Sequence, residues 1–484
     1  HYTKGVLVGS YDKTDSTKYT GEGDWATIRT LDNLESLITD EGVVVTDIPA
    51  YEFYNKHSSM LMTDTYILCQ HLTTVKLATV KIIGQEAFYG QTFSTTEKRE
   101  LTTIDMPAVE TVGEFAFWNC PALNSVSLPK VTTIGDNAFG NCFVLGSVSF
   151  PEVVTIGSQA FFDCKLLKTI QLPKVVTIGN EAFAQTALTA LTSDMIPKVT
   201  TIGDNVFKGC QYLKSVSLSN VDSLGYHAFN NCISLSKLSL PKVTTINGTF
   251  EQCLSLTSVE LPVATAIGES TFAGCIQLSS VSAPKATELG SNAFQGCSAL
   301  KNVSIPMLQI IGEVAFKESG ITKVSFPEVT EVRSEAFSLC DSLVSVSLPK
   351  AKIIRWGAFG AVGKSFTSIT LPSADTIEYD AFKNSGIKHA DLPAVKFIGD
   401  AAFQYCYSLS SVSLPAVPPT CGKFSDSSAT LLIVDANDSL LKGDAFTSAL
   451  EVYKKDSGYN ATTCKWNGLK LTSDNVPTAI ESVN

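Results

Sequence analysis

The sequence predicts an α/β solenoid: a right-handed superhelix of stacked coils, with a parallel β-sheet on its concave face and short helical or 3₁₀ turns on its convex side. Three observations carry that prediction. One phenylalanine recurs fifteen times, at Phe88, Phe117, Phe139, Phe161, Phe183, Phe207, Phe229, Phe250, Phe272, Phe294, Phe316, Phe337, Phe359, Phe382 and Phe403. The steps are 29 once and otherwise 21 to 24, most often 22. A unit of that length cannot bury its apolar face alone, so the copies must stack on one another. Third, ten of the thirteen cysteines stand three residues after that phenylalanine: Cys120, Cys142, Cys164, Cys210, Cys232, Cys253, Cys275, Cys297, Cys340 and Cys406.

One copy, LNSVSLPKVTTIGDNAF at 123–139, gives the reason for each element. Apolar Val126 and Leu128 alternate with Ser125 and Ser127, as in a strand with one buried and one wet face. Pro129 ends the strand, having no N–H to give a ladder. Val131 and Ile134 turn inward, and Gly135 takes a turn position that a side chain would obstruct. Asp136 to Phe139 reads as a short helical or 3₁₀ turn opened by a polar cap. Repetition then lays the strands parallel and stacks the phenylalanines, Phe139, Phe161, Phe229 and Phe294 among them, into a spine. The cysteines, such as Cys142, Cys164, Cys232 and Cys297, read as a ladder of buried free thiols acting as small hydrophobes. Neighbours roughly 4.8 Å apart are near enough to bridge, but equivalent side chains point the same way, which is poor disulfide geometry. Metal binding is the sharper alternative. Against it, the chain has no C-x-x-C and only five histidines, whereas zinc needs clustered ligands.

Strand SVSLP, then IG, then AF, then C, repeating at about 22 residues over 72–414, resembles the BspA-like leucine-rich repeats of bacterial cell-surface proteins. The resemblance implies a leucine-rich-repeat solenoid that is secreted or held at the cell surface. It also implies contact with an extracellular protein or glycan of a host or of other cells. It transfers repeat positions only, with no catalytic residue, cofactor or metal ligand.

Composition narrows the partners. Lys and Arg number 36 against 47 Asp and Glu, a net charge of −11. Nucleic acids and anionic membrane surfaces call for a positive face, so both are disfavoured. No apolar run approaches the roughly 18 residues of a membrane span. The chain opens at His1 without an initiating methionine, which reads as a signal or lipid-anchor segment already removed. A monomer is expected.

Three regions follow. Residues 1–71 read as an N-terminal lead-in and cap, 72–429 as the array of about fifteen full repeats plus a degenerate last one, and 430–484 as a C-terminal cap and tail. Within the first, 1–24 are polar and carry little pattern. Trp25, Ile28, Leu31, Leu34 and Ile38 have helical spacing behind Asp24. Residues 43–48 before Pro49 imitate a first repeat strand. A longer loop interrupts the period between Phe88 and Leu101, and two extra residues at 188–196 predict a bulge. Phe424 falls where a decayed last coil would place it, 430–434 reads as a final strand, and 439–455 as a helix before Trp466.

Little here suggests chemistry. His389 and Asp391 could form two-thirds of a triad among the serines, but an open flat sheet offers no pocket and no strained nucleophile turn. The outward strand positions are plain, with Ser125, Ser127, Ser147, Ser149, Ser215, Ser217, Ser280, Ser282, Ser345, Ser347, Ser411 and Ser413. Aromatics gather instead on the outer turns and ends: Trp118, Tyr226, Trp356, Tyr379, Tyr405, Tyr407, Trp25, Tyr51 and Tyr54. Tyrosine and tryptophan dominate measured binding surfaces. Trp25, Tyr51, Tyr54 and Tyr89 are therefore the candidate binding residues, because they combine aromatic side chains with irregular backbone. The expected function is non-enzymatic adhesion to, or recognition of, macromolecules on host or neighbouring cells. The alternative is a structural spacer or a glycan-handling accessory.

Overall fold

The computed structural model describes residues 5–7, 36–39, 47–48, 72–90, 101–422, 424, 429–434, 440, 443–457, 459–460, 465–467 and 469–471. The chain divides into two compact units, His1–Leu240 and Pro241–Asn484, built from the same coil. Each coil contributes a three-residue strand and, after a turn, a two-residue strand. In the first unit Ser147–Ser149 pairs in parallel with Thr169–Gln171, and Thr155–Ile156 lies between Thr133–Ile134 and Thr177–Ile178. In the second, Ser280–Ser282 lies between Ser258–Glu260 and Asn302–Ser304, and Glu288–Leu289 between Ala266–Ile267 and Ile310–Ile311. The three-residue strand was legible from its alternation, with Ser147 and Ser149 exposed and Val148 buried. Two residues are too short to show a period, so the second ladder had no separate signal.

The expected helical turns are replaced by a third hydrogen-bonded ladder. The N–H groups of Asn137, Phe139 and Asn141 donate to the carbonyls of Ser158, Ala160 and Phe162 in the next coil at 2.8, 2.7 and 2.8 Å. Those of Ala138, Gly140 and Cys142 donate three residues back within their own coil. A 3₁₀ helix sends every N–H along its own axis and leaves none for a neighbouring coil. Left-handed φ values at Asn137 (58°) and Asn141 (60°) turn alternate amides outward. The second unit repeats the device at Asn292 and Gly296, with φ 57° and 69°. Asn and Gly recur at these positions because they enter the left-handed region at least cost.

Inside, the phenylalanine rings stack face to face. Centroids in the first unit are 5.1 Å apart for Phe117 and Phe139, 5.3 Å for Phe139 and Phe161, and 5.4 Å for Phe207 and Phe229. In the second, Phe294 lies 5.6 Å from Phe272, and Phe424 continues the column 5.2 Å beyond Phe403. The ten repeat cysteines are buried and free, and they do more than fill space. Each Sγ–H described donates to the carbonyl of the preceding coil's phenylalanine, as with Cys142 to Phe117 at 3.3 Å and Cys297 to Phe272 at 3.1 Å. The Phe272 carbonyl already accepts from the Cys275 N–H at 3.1 Å, so there the thiol occupies its second lone pair. Thr186, standing at a cysteine position, instead donates its hydroxyl to Phe183 of its own coil at 2.9 Å. Gly157 and Gly312 show why the I-G step takes glycine. A Cβ on either would sit 2.5 Å from the preceding coil's backbone, far inside contact distance.

Three readings need correction. Ser36–Thr39 is a strand pairing with Gly5–Leu7 and with Thr74–Lys76, not the end of a helix, so the 1–24 lead-in also contains a strand. An open strand edge at Thr74–Lys76 offers backbone partners that override the local helical spacing. The rest of the proposed helix lies outside the described residues. Within 43–48, Asp47–Ile48 is indeed a strand, but it pairs with Ile82–Ile83 in the two-residue series. The extra residues at 188–196 make no bulge. Ala190–Thr192 pairs in register with Ser215–Ser217, and the surplus forms turns in which Met195 and Ile196 donate to Thr192 and Ser193.

At the other end Thr430–Val434 extends the ladder from Ser411–Pro415, followed by a helix, Gly443–Lys455. Tyr453 and Trp466 are fully buried, edge to face at 5.0 Å. Tyr453 donates to the Pro415 carbonyl at 2.8 Å and Trp466 to Asp456 at 2.7 Å. Two large aromatics are thus buried after the last strand with their polar tips satisfied.

Two tests follow from this packing. Phe161→Ala should lower stability by about 3–5 kcal/mol, the usual cost of emptying a packed aromatic site; denaturant unfolding reads it, and a loss below 1 kcal/mol contradicts the spine. Burial pushes the Cys210 and Cys340 thiols up to about 11 and Cys275 to about 12 from an ordinary 9.0. Folded thiols therefore stay protonated where unfolded ones ionise. Their contribution to stability is complete below pH 9 and is lost as pH rises toward 11–12. The melting temperature should fall steeply over that window, and the native protein should resist thiol reagents until unfolded; a flat profile or rapid native labelling contradicts the buried ladder.

Candidate ligand-binding surface

Three of the outer-turn aromatics, Tyr89, Trp118 and Tyr226, pack against rings of their own chain. Tyr89 is half-buried with its ring 6.0 Å from Phe115, which meets Trp118 edge-on at 5.6 Å. Tyr226 stacks on His227 at 3.8 Å. Of the sequence candidates only Tyr89 can be placed, and it serves this packing; Trp25, Tyr51 and Tyr54 lie outside the described residues.

Four others behave differently. Trp356 and Tyr379 hold the same position in successive coils of the second unit, their rings 6.2 Å apart. Tyr405 and Tyr407, 6.1 Å apart, stand farther along the turn. Tyr379, Tyr405 and Tyr407 are 56%, 44% and 78% exposed. Beside them opens a groove of about 570 Å³ lined by Trp356, Gly357, Gly360, Ala361, Asp380, Lys383, Asn384, Tyr405 and Tyr407, with Glu335 and Ser338 at one end. Small residues make its floor, and Gly357 keeps the left-handed φ of 59° without a side chain.

The backbone around this groove is braced by charge. Arg355 and Glu378 stand where the repeat usually has glycine. The guanidinium bridges Glu331 at 2.7 Å and Glu378 at 2.9 Å, and its hydrogen bond to Glu331, reinforced by that to Glu378, raises its pKa above the ordinary value. Glu378 also accepts the Trp356 backbone N–H at 3.0 Å. Asp380 accepts from the Trp356 indole at 3.4 Å and from Lys383 at 3.2 Å, while Glu335 pairs with Lys317. Sequence reading placed these aromatics on the outer turns but not together. Aligning the coils by their phenylalanines, and asking where successive copies lose the I-G glycine, gives the run Arg333, Arg355 and Glu378 beside this stretch, with Asn247 a single loss elsewhere.

The strand face is flatter in chemistry. Ser280, Ser282 and Ser304 line a groove of about 510 Å³ with Glu260, Lys301 and Lys323. Farther along, His389 Nδ1 lies 2.8 Å from Ser411 Oγ, and Asp391 accepts from Thr370 at 3.0 Å and from Ser413 at 2.8 Å. A triad needs the carboxylate on the imidazole's other nitrogen; here it holds hydroxyls of the flanking strands. Among the described residues no group of three or more His, Cys, Asp or Glu could hold a metal ion, and no helix is long and apolar enough to cross a membrane.

Comparison with known families matches the BspA type leucine rich repeat region (6 copies) to residues 91–195, 177–300, 244–362 and 330–449. These segments cover about three quarters of the chain. The chain belongs to the BspA-type leucine-rich repeat family. A leucine-rich repeat protein from Bacteroides ovatus has a similar structure, with 26% identity, 79% of this chain and 89% of that one covered, and a TM-score of 0.56. A leucine rich cell surface protein from Faecalibacterium prausnitzii is 22% identical over 75% of this chain and 87% of that one, with a TM-score of 0.39. No curated protein sequence matches. In this BspA-type chain the Trp356 stretch lies where three successive copies, at Arg333, Arg355 and Glu378, lack the repeat's glycine.

A fluorophosphonate probe should leave Ser410 and Ser411 unlabelled, since Asp391 is held by the Thr370 and Ser413 hydroxyls. Stoichiometric labelling abolished by His389→Ala overturns that reading.

Proposed function

We propose that this BspA-type chain is a non-enzymatic binding protein, secreted or displayed at a cell surface. In this reading it adheres to macromolecules of a host or neighbouring cell, acting as a monomer. The contact surface is the aromatic turn row of the second unit, and residues 1–71 and 430–484 close the ends of the array. One observation supports it above the rest: the exposed rings of Tyr405 and Tyr407 line an open groove together with Trp356, with Tyr379 exposed nearby. Serine hydroxyls on the strand face exchange hydrogen bonds with water at little net gain. Aromatic rings gain from burial and concentrate binding energy in few contacts.

Fluorescent protein bound to cultured epithelial cells and to co-resident bacteria tests the assignment. Tyr405→Ala with Tyr407→Ala should weaken attachment at least about tenfold, corresponding to roughly 1.4 kcal/mol. Ser280→Ala with Ser282→Ala should leave it unchanged. The opposite ranking in folded protein moves the site to the strand face.

A further inference from the structure

We propose that the groove beside Trp356, Tyr405 and Tyr407 takes a neutral saccharide, one pyranose ring lying against the tyrosines; this rests on the binding role argued above and names its ligand class. A pyranose has one face of C–H bonds and a rim of hydroxyls. The negative face of an aromatic ring suits the first. Asp380, Asn384, Glu335 and Ser338 supply acceptors and donors for the second. A groove of about 570 Å³ lies within the roughly 300–1,000 Å³ of small-ligand sites.

Charge decides between ligand classes. An aromatic site for a quaternary ammonium group calls for an unbalanced acid near the rings. Here each lining carboxylate already has a base: Asp380 with Lys383 and Glu335 with Lys317. Those lysines are committed in turn, so no surplus cation awaits a phosphate or sulfate. A polar ligand without charge fits what remains. A large flat protein epitope fits poorly, since stable protein interfaces cover roughly 800 Å² per partner and the floor here is three small residues between aromatic walls.

The repeat itself marks the place. In three successive copies the I-G glycine gives way to Arg333, Arg355 and Glu378, as it does at Asn247 farther back, and in the last two of the three the cysteine gives way to Val362 and Ser385. The coil's own hydrogen bonds persist through these changes, with Phe359 donating to Ala381 and Phe382 to Ala402 at 2.8 Å each. Residues that break a repeat rule without breaking the fold are where function is expected.

Saturation-transfer NMR and calorimetry on the full chain provide the test, using cellotriose, N-acetyllactosamine and chitotriose, with choline and phosphocholine alongside. At least one oligosaccharide should bind, with saturation reaching its ring C–H protons. Tyr405→Ala with Tyr407→Ala should cost at least about tenfold in affinity, and Asn384→Gly several-fold, the glycine keeping the left-handed φ of 56° at that position, with far-UV circular dichroism and cooperative unfolding showing that both variants are folded. Ser280→Ala with Ser282→Ala should bind as wild type. Absence of binding across the oligosaccharides, equal binding by the tyrosine variant, or preference for choline overturns the proposal. Glycosidase-stripped cells separate it from the broader reading. Tyrosine-dependent attachment that survives stripping removes the saccharide and keeps the surface; attachment indifferent to the tyrosines removes the surface.

Discussion

Each coil of this protein must present its backbone to the next at hydrogen-bonding distance on every side, including the side where the chain bends most. That constraint selects the residues. Bends normally satisfy their amides internally, yet here alternate amides reach the neighbouring coil, so Asn137 and Asn141 adopt φ near 60°. Left-handed backbone is unfavourable for most residues. It persists because each such residue gains an intercoil bond near 2.8 Å. Close approach also dictates the I-G glycine, where a Cβ on Gly157 or Gly312 would strike the adjacent backbone.

The side chains complete what the backbone begins. Coils held in register bring equivalent phenylalanines into face-to-face contact, as with Phe139 and Phe161 at 5.3 Å. They also deliver each thiol to the phenylalanine carbonyl of the coil before it. Cysteine suits that position because it is small, tolerates full burial and still donates weakly. Three of the four replacements among the described residues, threonine at 186 and serine at 319 and 385, retain a donor, while Val362 keeps only the small apolar volume.

Period, spine and thiol row were legible because each depends on one residue type at a fixed spacing. The three-residue strands were legible from Ser-Val-Ser alternation. Three features were hidden. A two-residue strand is too short to alternate. The conformation of Asp136 to Phe139 depends on partners a coil away, so local composition suggested a helical turn. Ser36–Thr39 lies on a helical spacing that an available sheet edge overrules. The aromatic groove was half legible, since Trp356, Tyr379, Tyr405 and Tyr407 could be placed on outer turns. Their convergence depends on glycines and alanine from a different coil. Trp25, Tyr51 and Tyr54 drew attention by composition alone.

An array so fully occupied with stacking has few places free for recognition. Where its rules lapse, at Arg355 and Glu378, ion pairs take over from close packing and exposed rings border an open groove. Residue-resolved tyrosine nitration of the unmodified protein, free and bound to target cells, tests this most directly. Tyr212, 62% exposed in the first unit, serves as the internal reference. Binding should protect Tyr405 and Tyr407 while Tyr212 remains fully reactive. Equal nitration of all three in the bound state would contradict the assignment of the turn row as the binding surface.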